Sequence, residues 1–171
     1  WLLTPILIVP TVFAILAVRP DPREIALDLH KYWPNIADVA RTARGKMRYR
    51  EFIESRPRLT AAVAYMPAQG VMSMMMAITP LVLTTHGHSL TLISVAVTIH
   101  VLGMFAFSIP LGRVVDRVGR VPVIWAGLST SALGALLVPV TELYNFITIG
   151  IFLVGVGWSA VFVAATAVIA D

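Results

Sequence analysis

The sequence predicts an all-α protein, an incomplete bundle of about five helices that cross a membrane. Three observations carry this reading. Of 171 residues, 58% are hydrophobic and 13% are charged, with a mean hydropathy of +0.84. A soluble domain carries ~25% charged residues, and a chain of this size cannot bury so much apolar surface in its own core. The charges are also segregated. Ten of the 13 Lys and Arg lie between Arg19 and Arg58, and the other three lie between Arg113 and Arg120. Finally, residues 59–112, 121–141 and 143–170 contain no Asp, Glu, Lys or Arg. The composition is the opposite of a disordered chain. The absence of cysteine excludes a disulfide scaffold, a thiolate zinc site and a cysteine nucleophile.

A spanning helix needs about 20 apolar residues to cross a core of ~30 Å. The first segment, 1–18, starts at Trp1 inside an apolar run with no basic stretch before it, so it does not read as a signal peptide. With Asp171 ending another apolar run, the chain reads as an internal piece of a longer protein. The uncharged stretch 59–112 is long enough for two spans, 60–83 and 90–111, with a turn at Thr84-Thr85-His86-Gly87-His88-Ser89. Segments 122–140 and 146–169 complete the five.

The loops orient the bundle. Loops 19–59 and 112–121 are separated by two crossings and both are basic, whereas 84–89 and 141–145 hold no Lys or Arg. Cytoplasmic loops carry the excess of Lys and Arg, so the basic loops are expected in the cytoplasm and the protein in a plasma (inner) membrane. The pI near 10 is then a topology signal, and no nucleic-acid partner is expected. Within 19–59, Asp21-Pro22-Arg23-Glu24 has the form of a helix start and predicts a short helix from Pro22 to Trp33, ended by Pro34. A second stretch, Ile36 to Glu54, mixes arginines with apolar residues. It reads either as a connector at the lipid headgroups or as a partner-binding segment.

The second basic loop reads Gly112-Arg113-Val114-Val115-Asp116-Arg117-Val118-Gly119-Arg120-Val121-Pro122. It is expected to be a tight charged hairpin in which Gly112 and Gly119 let two helix ends approach and Asp116 precedes the next helix, where a carboxylate is stabilised. This loop resembles the G-x-L-x-D-R-x-G-R-[KR] signature of the major facilitator superfamily of transporters. It matches at Gly112, Asp116, Arg117, Gly119 and Arg120, and departs at Val114 and Val121. A weaker copy of the signature occurs between helices 8 and 9, and a long loop joins helices 6 and 7. The resemblance therefore implies that 1–18 ends the N-terminal bundle as helix 6. It makes 19–59 the loop between bundles and 60–171 helices 7–10 of the C-terminal bundle. It also implies a secondary active transporter of a small organic solute, working by alternating access, in which Gly112, Arg113, Asp116, Arg117, Gly119 and Arg120 form a conformational-switch loop.

Polar groups at membrane depth face protein or a water-filled path. Those here are Gln69, His100, Trp158 and Ser159, the candidate substrate cavity. The first three have a second reading. Gln69 can bond a carbonyl freed at the Pro67 kink, His100 can tie two helices as a neutral ring, and Trp158 can fill space. Met72, Met74, Met75 and Met76 form either adaptable packing or a permissive wall for an apolar solute. His86 and His88 lack the third ligand a metal site needs. No metal, cofactor or enzyme motif is expected, although a multi-pass membrane enzyme or scaffold stands as the alternative to a transporter. The spans contain no Asp or Glu, so proton or ion coupling within these residues falls to His100. The small residues Gly127, Ser129, Thr130, Ser131 and Gly134 predict close helix packing.

Overall fold

The computed structural model describes residues 49–170, together with residues 12–13, 16–17, 24–25 and 31 as helical positions. Apart from those positions, the expected span 1–18, the 19–59 loop as far as residue 48 and the helix from Pro22 to Trp33 lie outside the described residues. The chain divides into two compact units, Trp1–Met47 and Arg48–Asp171. The second contains α1 (Tyr49–Glu54), α2 (Arg56–Thr85), α3 (Leu90–Phe105), α4 (Ser108–Val118), α5 (Arg120–Val140) and α6 (Tyr144–Ala170). No strand occurs among the described residues.

Among the described residues, four stretches are long and apolar enough to cross a membrane: Arg56–Thr85, Leu90–Val118, Arg120–Val140 and Tyr144–Ala170. They match the last four expected segments. Large apolar side chains remain exposed around them, among them Leu90, Ile109 and Leu136, as lipid-facing helices require. Several hydroxyls on these helices are satisfied within their own helix. Ser94, Thr98, Thr130 and Thr166 each donate to the carbonyl four residues back, which removes the cost of an unpaired polar group in hydrocarbon.

Each helix end has a local cause. Pro57 occupies the first turn of α2, where its missing N–H costs nothing. At the other end Gly87, at φ +76°, closes the α2–α3 turn, and Ser89 caps α3 by accepting from the Leu92 N–H at 3.4 Å. Thr141 closes the α5–α6 turn by accepting from the Leu143 N–H.

α6 is the central helix, packed most extensively on α5 and then on α3 and α2. Its seam with α5 is built from glycine. A Cβ on Gly134 would lie 2.8 Å from the Val154 nitrogen and nearer still to the Gly150 carbonyl. One on Gly127 would lie 2.7 Å from the Gly157 carbonyl. Only glycine permits this backbone approach, which is how helices associate where no hydrophobic force separates them from lipid. Of the five small residues expected to pack, Gly127, Ser131 and Gly134 are buried, while Ser129 is exposed and Thr130 is half-buried.

The charged segment differs from the expected hairpin. Residues Ser108–Val118 are helical, and the connection to α5 is Gly119 alone, at φ +97°. Gly119 therefore serves the backbone, since that conformation disfavours any residue with a side chain. A Cβ on Gly112 would meet open space. Asp116 lies in the last turns of α4 instead of ahead of α5, and Arg117 provides the basic residue in that last turn. The segment stays helical because Val115 is buried against Val123, Ile124, Ala160 and Ala164, and this apolar anchor carries the helix past its charged neighbours.

Candidate functional site

Gln69 and Trp158 come together. They sit on α2 and α6, and Trp158 Nε1 donates to Gln69 Oε1 at 2.8 Å. Tyr65, one turn before Gln69, donates its hydroxyl to the same oxygen at 2.9 Å. The Gln69 amide nitrogen points on to Ser73 Oγ, 3.4 Å away. Tyr65, Gln69 and Ser73 are spaced four apart and so share one face of α2. The Gln69 oxygen thus serves side chains, while the amide nitrogen, the group that would have to donate to a carbonyl freed by Pro67, is directed at Ser73.

Aromatic rings surround this ladder. Trp158 stacks on Phe162, with centroids 5.1 Å apart and planes 10° from parallel. Tyr65 meets Phe162 at 5.8 Å, and Phe105 meets Trp158 edge-on at 6.5 Å. Trp158 is 8% exposed and packs with Ala68, Met104 and Val161, whereas Phe162 is 39% exposed. The cluster is anchored on one side and open on the other. Ser159, the next residue along α6, is fully buried and does not share this open face.

His100 occupies a different place. It is completely buried on α3, with Nδ1 2.5 Å from the Ile151 carbonyl of α6. A carbonyl only accepts, so Nδ1 carries the proton, and in the neutral ring Nε2 is a bare acceptor. Nε2 has no partner, and neither has the buried hydroxyl of Thr79. Both residues line a small void with Met75, Met76, Val97 and Ile151. Met75 and Met76 therefore face the interior, while Met74 is 62% exposed.

The remaining candidates lie at the other end of α4. Arg113, Asp116, Arg117 and Arg120 are exposed, and Gly112 and Gly119 are half-buried. A groove of about 920 Å³ opens between the start of α2 and the start of α5, lined by Arg58, Val63, Arg120, Ile124 and Trp125 among others. It includes none of Gln69, His100, Trp158 or Ser159. The His88 ring lies tilted against Tyr144, with centroids 5.5 Å apart, and no metal-binding group of His, Cys, Asp or Glu occurs among the described residues.

Tyr65, Ser73, Phe105 and Phe162 join the site without having been singled out in the sequence. A signal existed. Tyr65-Gln69-Ser73 and Trp158-Phe162 each recur at the four-residue spacing that puts side chains on one helix face.

The sequence profile of the Major Facilitator Superfamily matches residues 61–171. Curated proteins are similar over most of the chain. The uncharacterized MFS-type transporter YdeG of Bacillus subtilis is 26% identical over 163 residues, 94% of this chain and 37% of that protein. The riboflavin transporter RfnT of Brucella anthropi is 30% identical over 169 residues, 97% of this chain and 38% of that protein. The inner membrane transport protein YajR of Escherichia coli is 36% identical over 95 residues, 53% of this chain and 20% of that protein. The chain thus spans well under half the length of these relatives. No solved structure matches it at a significant level.

Proposed function

Because the chain belongs to the Major Facilitator Superfamily, we propose that it is part of a secondary active transporter that carries a small organic solute by alternating access. As a family member with four apolar helices of spanning length it is a multi-pass membrane protein. In this reading residues 60–171 are helices 7–10 of the C-terminal bundle, 1–18 are helix 6, and 19–59 join the two bundles. The membrane is the plasma (inner) membrane, with 19–59 and 112–121 in the cytoplasm.

The observation that carries the reading is the Gln69–Trp158 hydrogen bond beside an open aromatic face. Parallel-repeat transporters bind substrate near the bilayer midplane, between bundles. A polar ladder on an otherwise apolar helix is costly in lipid, and a substrate path explains why it is kept. The exposed arginines and Asp116 on α4 and at Gly119 are the candidate switch. His100, at mid-span and with one unpartnered nitrogen, is the candidate proton carrier if flux is proton coupled.

The names of the relatives support transport, and one of them is named for riboflavin. A membrane enzyme or scaffold has no observation in its favour. The test is solute uptake by the full-length protein in proteoliposomes. The reading expects saturable, gradient-driven uptake that is lost in Gln69→Leu. Uptake of every solute equal to that of empty liposomes would refute it.

A further inference from the structure

We infer that the groove between the starts of α2 and α5 holds an anionic phospholipid, with its phosphate at Arg58 and Arg120 and an acyl chain along Val63, Ile124 and Trp125. The inference goes beyond the transporter reading and needs only that the chain is a membrane protein.

Charge sets the head end. The groove has a volume of about 920 Å³, and Arg58 and Arg120 both line it. Arg58 lies in the first turn of α2 and Arg120 opens α5, so the two charges sit at the same end of the groove. Arg120 is exposed and Arg58 is half-buried. Neither helix start has a side-chain cap or an acid in its first turn, so the positive ends of two helix dipoles add to the two guanidinium charges. A guanidinium has several donors and holds a phosphate while it keeps a protein partner.

Apolar side chains set the tail end. Val63, on α2, is 58% exposed, and Trp125, on α5, is 67% exposed. Both line the groove with Ile124. Trp125 follows Arg120 by about 7.5 Å along the helix, at a rise of ~1.5 Å per residue. Tryptophan is enriched at this level of a bilayer, beside the headgroups. A protein segment laid over the groove would have to bring acids to both arginines, because an unpaired charge is costly to bury. A phospholipid carries its phosphate at that height by its own construction.

The acyl chain gains little over its place in the bilayer, since lipid tails are as apolar as the groove wall. Selection therefore falls on the headgroup. Basic pockets between spanning helices bind anionic headgroups, and each arginine near the surface contributes about fivefold.

The probe is phosphatidylglycerol with brominated acyl chains, compared with brominated phosphatidylcholine. The full-length protein is reconstituted in phosphatidylcholine vesicles with rising mole fractions of either probe. Quenching of Trp125 is taken as the difference between the original and Trp125→Phe. The inference expects half-maximal quenching at a mole fraction at least about tenfold lower for brominated phosphatidylglycerol. Arg58→Gln and Arg120→Gln should each reduce that preference about fivefold. Arg56→Gln, at the start of α2 but outside the groove lining, should leave it within about twofold, as a neighbouring charge screened by water. Quenching of Trp125 by neither lipid would show the groove covered by protein, and equal quenching by both would show ordinary lipid contact; either overturns the inference. An equal loss in Arg56→Gln would also overturn it, as the mark of a diffuse surface charge. Uptake plays no part in this readout, so its failure and the failure of the transporter reading are separate results.

Discussion

The indole of Trp158 and the amide of Gln69, 89 residues apart in sequence, meet at 2.8 Å across the contact between α6 and α2. Tyr65 reaches the same amide oxygen. A single side chain therefore collects two aromatic donors from two helices, so removing Gln69 frees both rings, whereas removing either ring leaves the other bonded. Coupling between Gln69→Leu and Trp158→Phe should be ~0.6–1.7 kcal/mol in a double-mutant cycle of unfolding, the range for bonds between spanning helices. Each single variant should reduce uptake at least tenfold, and the double variant should be no worse than the poorer single. Strictly additive losses would show that the two act apart.

The α5–α6 seam predicts a sharp contrast between glycines. Gly134→Ala would drive a methyl into the Gly150 carbonyl, with backbone on the opposing side that cannot move aside cheaply. Overpacking of this kind costs about 1–3 kcal/mol. Gly112→Ala meets open space and replaces a helical glycine, so its stability should stay level or rise by about 0.5–1 kcal/mol. Thermal unfolding of the two variants in detergent should separate them, and equal midpoints would contradict the seam.

His100 offers a test that separates stability from activity. His100→Leu removes one hydrogen bond to Ile151 and also removes the orphaned Nε2. An unsatisfied buried polar atom costs about 1–3 kcal/mol, so the variant should be no less stable than the original. If His100 serves transport, uptake falls at least tenfold even so. His100→Gln keeps hydrogen bonding without titration, and under proton coupling it flattens the dependence of uptake on pH. Normal uptake by both variants would make His100 a packing residue.

Asp116 is exposed on α4 with Arg113 and Arg117 on the same short helix. Asp116→Asn should lower uptake while leaving the amount of inserted protein unchanged, because a charge that favours one access state acts on the equilibrium and not on insertion. Uptake equal to the original would remove the switch role.

The sequence lacks cysteine, so single-cysteine reporters in these residues have no background within them. Cysteines at Lys46 and His88 should react with an impermeant reagent from opposite sides of the membrane, as the Lys and Arg distribution requires. Reaction of both from outside would reverse the orientation.

The spans were legible because charge is excluded from hydrocarbon: 60–83, 122–140 and 146–169 emerge as helices within a few residues of their expected bounds, while 90–111 emerges as α3 and the first part of α4, parted at 106–107. The 108–118 region was not legible. Arg113, Asp116 and Arg117 look like a loop, and only the packing of Val115 against α5 and α6 shows that the helix continues. Gln69 and Trp158 stood out as polar groups at depth, but their contact did not, because pairing across 89 residues is set by how α2 and α6 pack. The depth of His100 was readable and its burial was not. Periodicity is weak on a helix that is apolar all round, so nothing in the sequence says which face a lone histidine occupies.

The central claim is that the Gln69 face lies on a path opened alternately to each side. Ser73 is exposed beside Gln69 and accepts only a long contact, so a cysteine there is a mild reporter. In an otherwise cysteine-free full-length protein, Ser73→Cys is reacted with an impermeant thiol reagent, added to one side of sealed vesicles and then, in a separate sample, to the other. Alternating access predicts reaction from both sides, with the balance between them shifted by substrate. Reaction from one side only, unchanged by any transported solute, would contradict it.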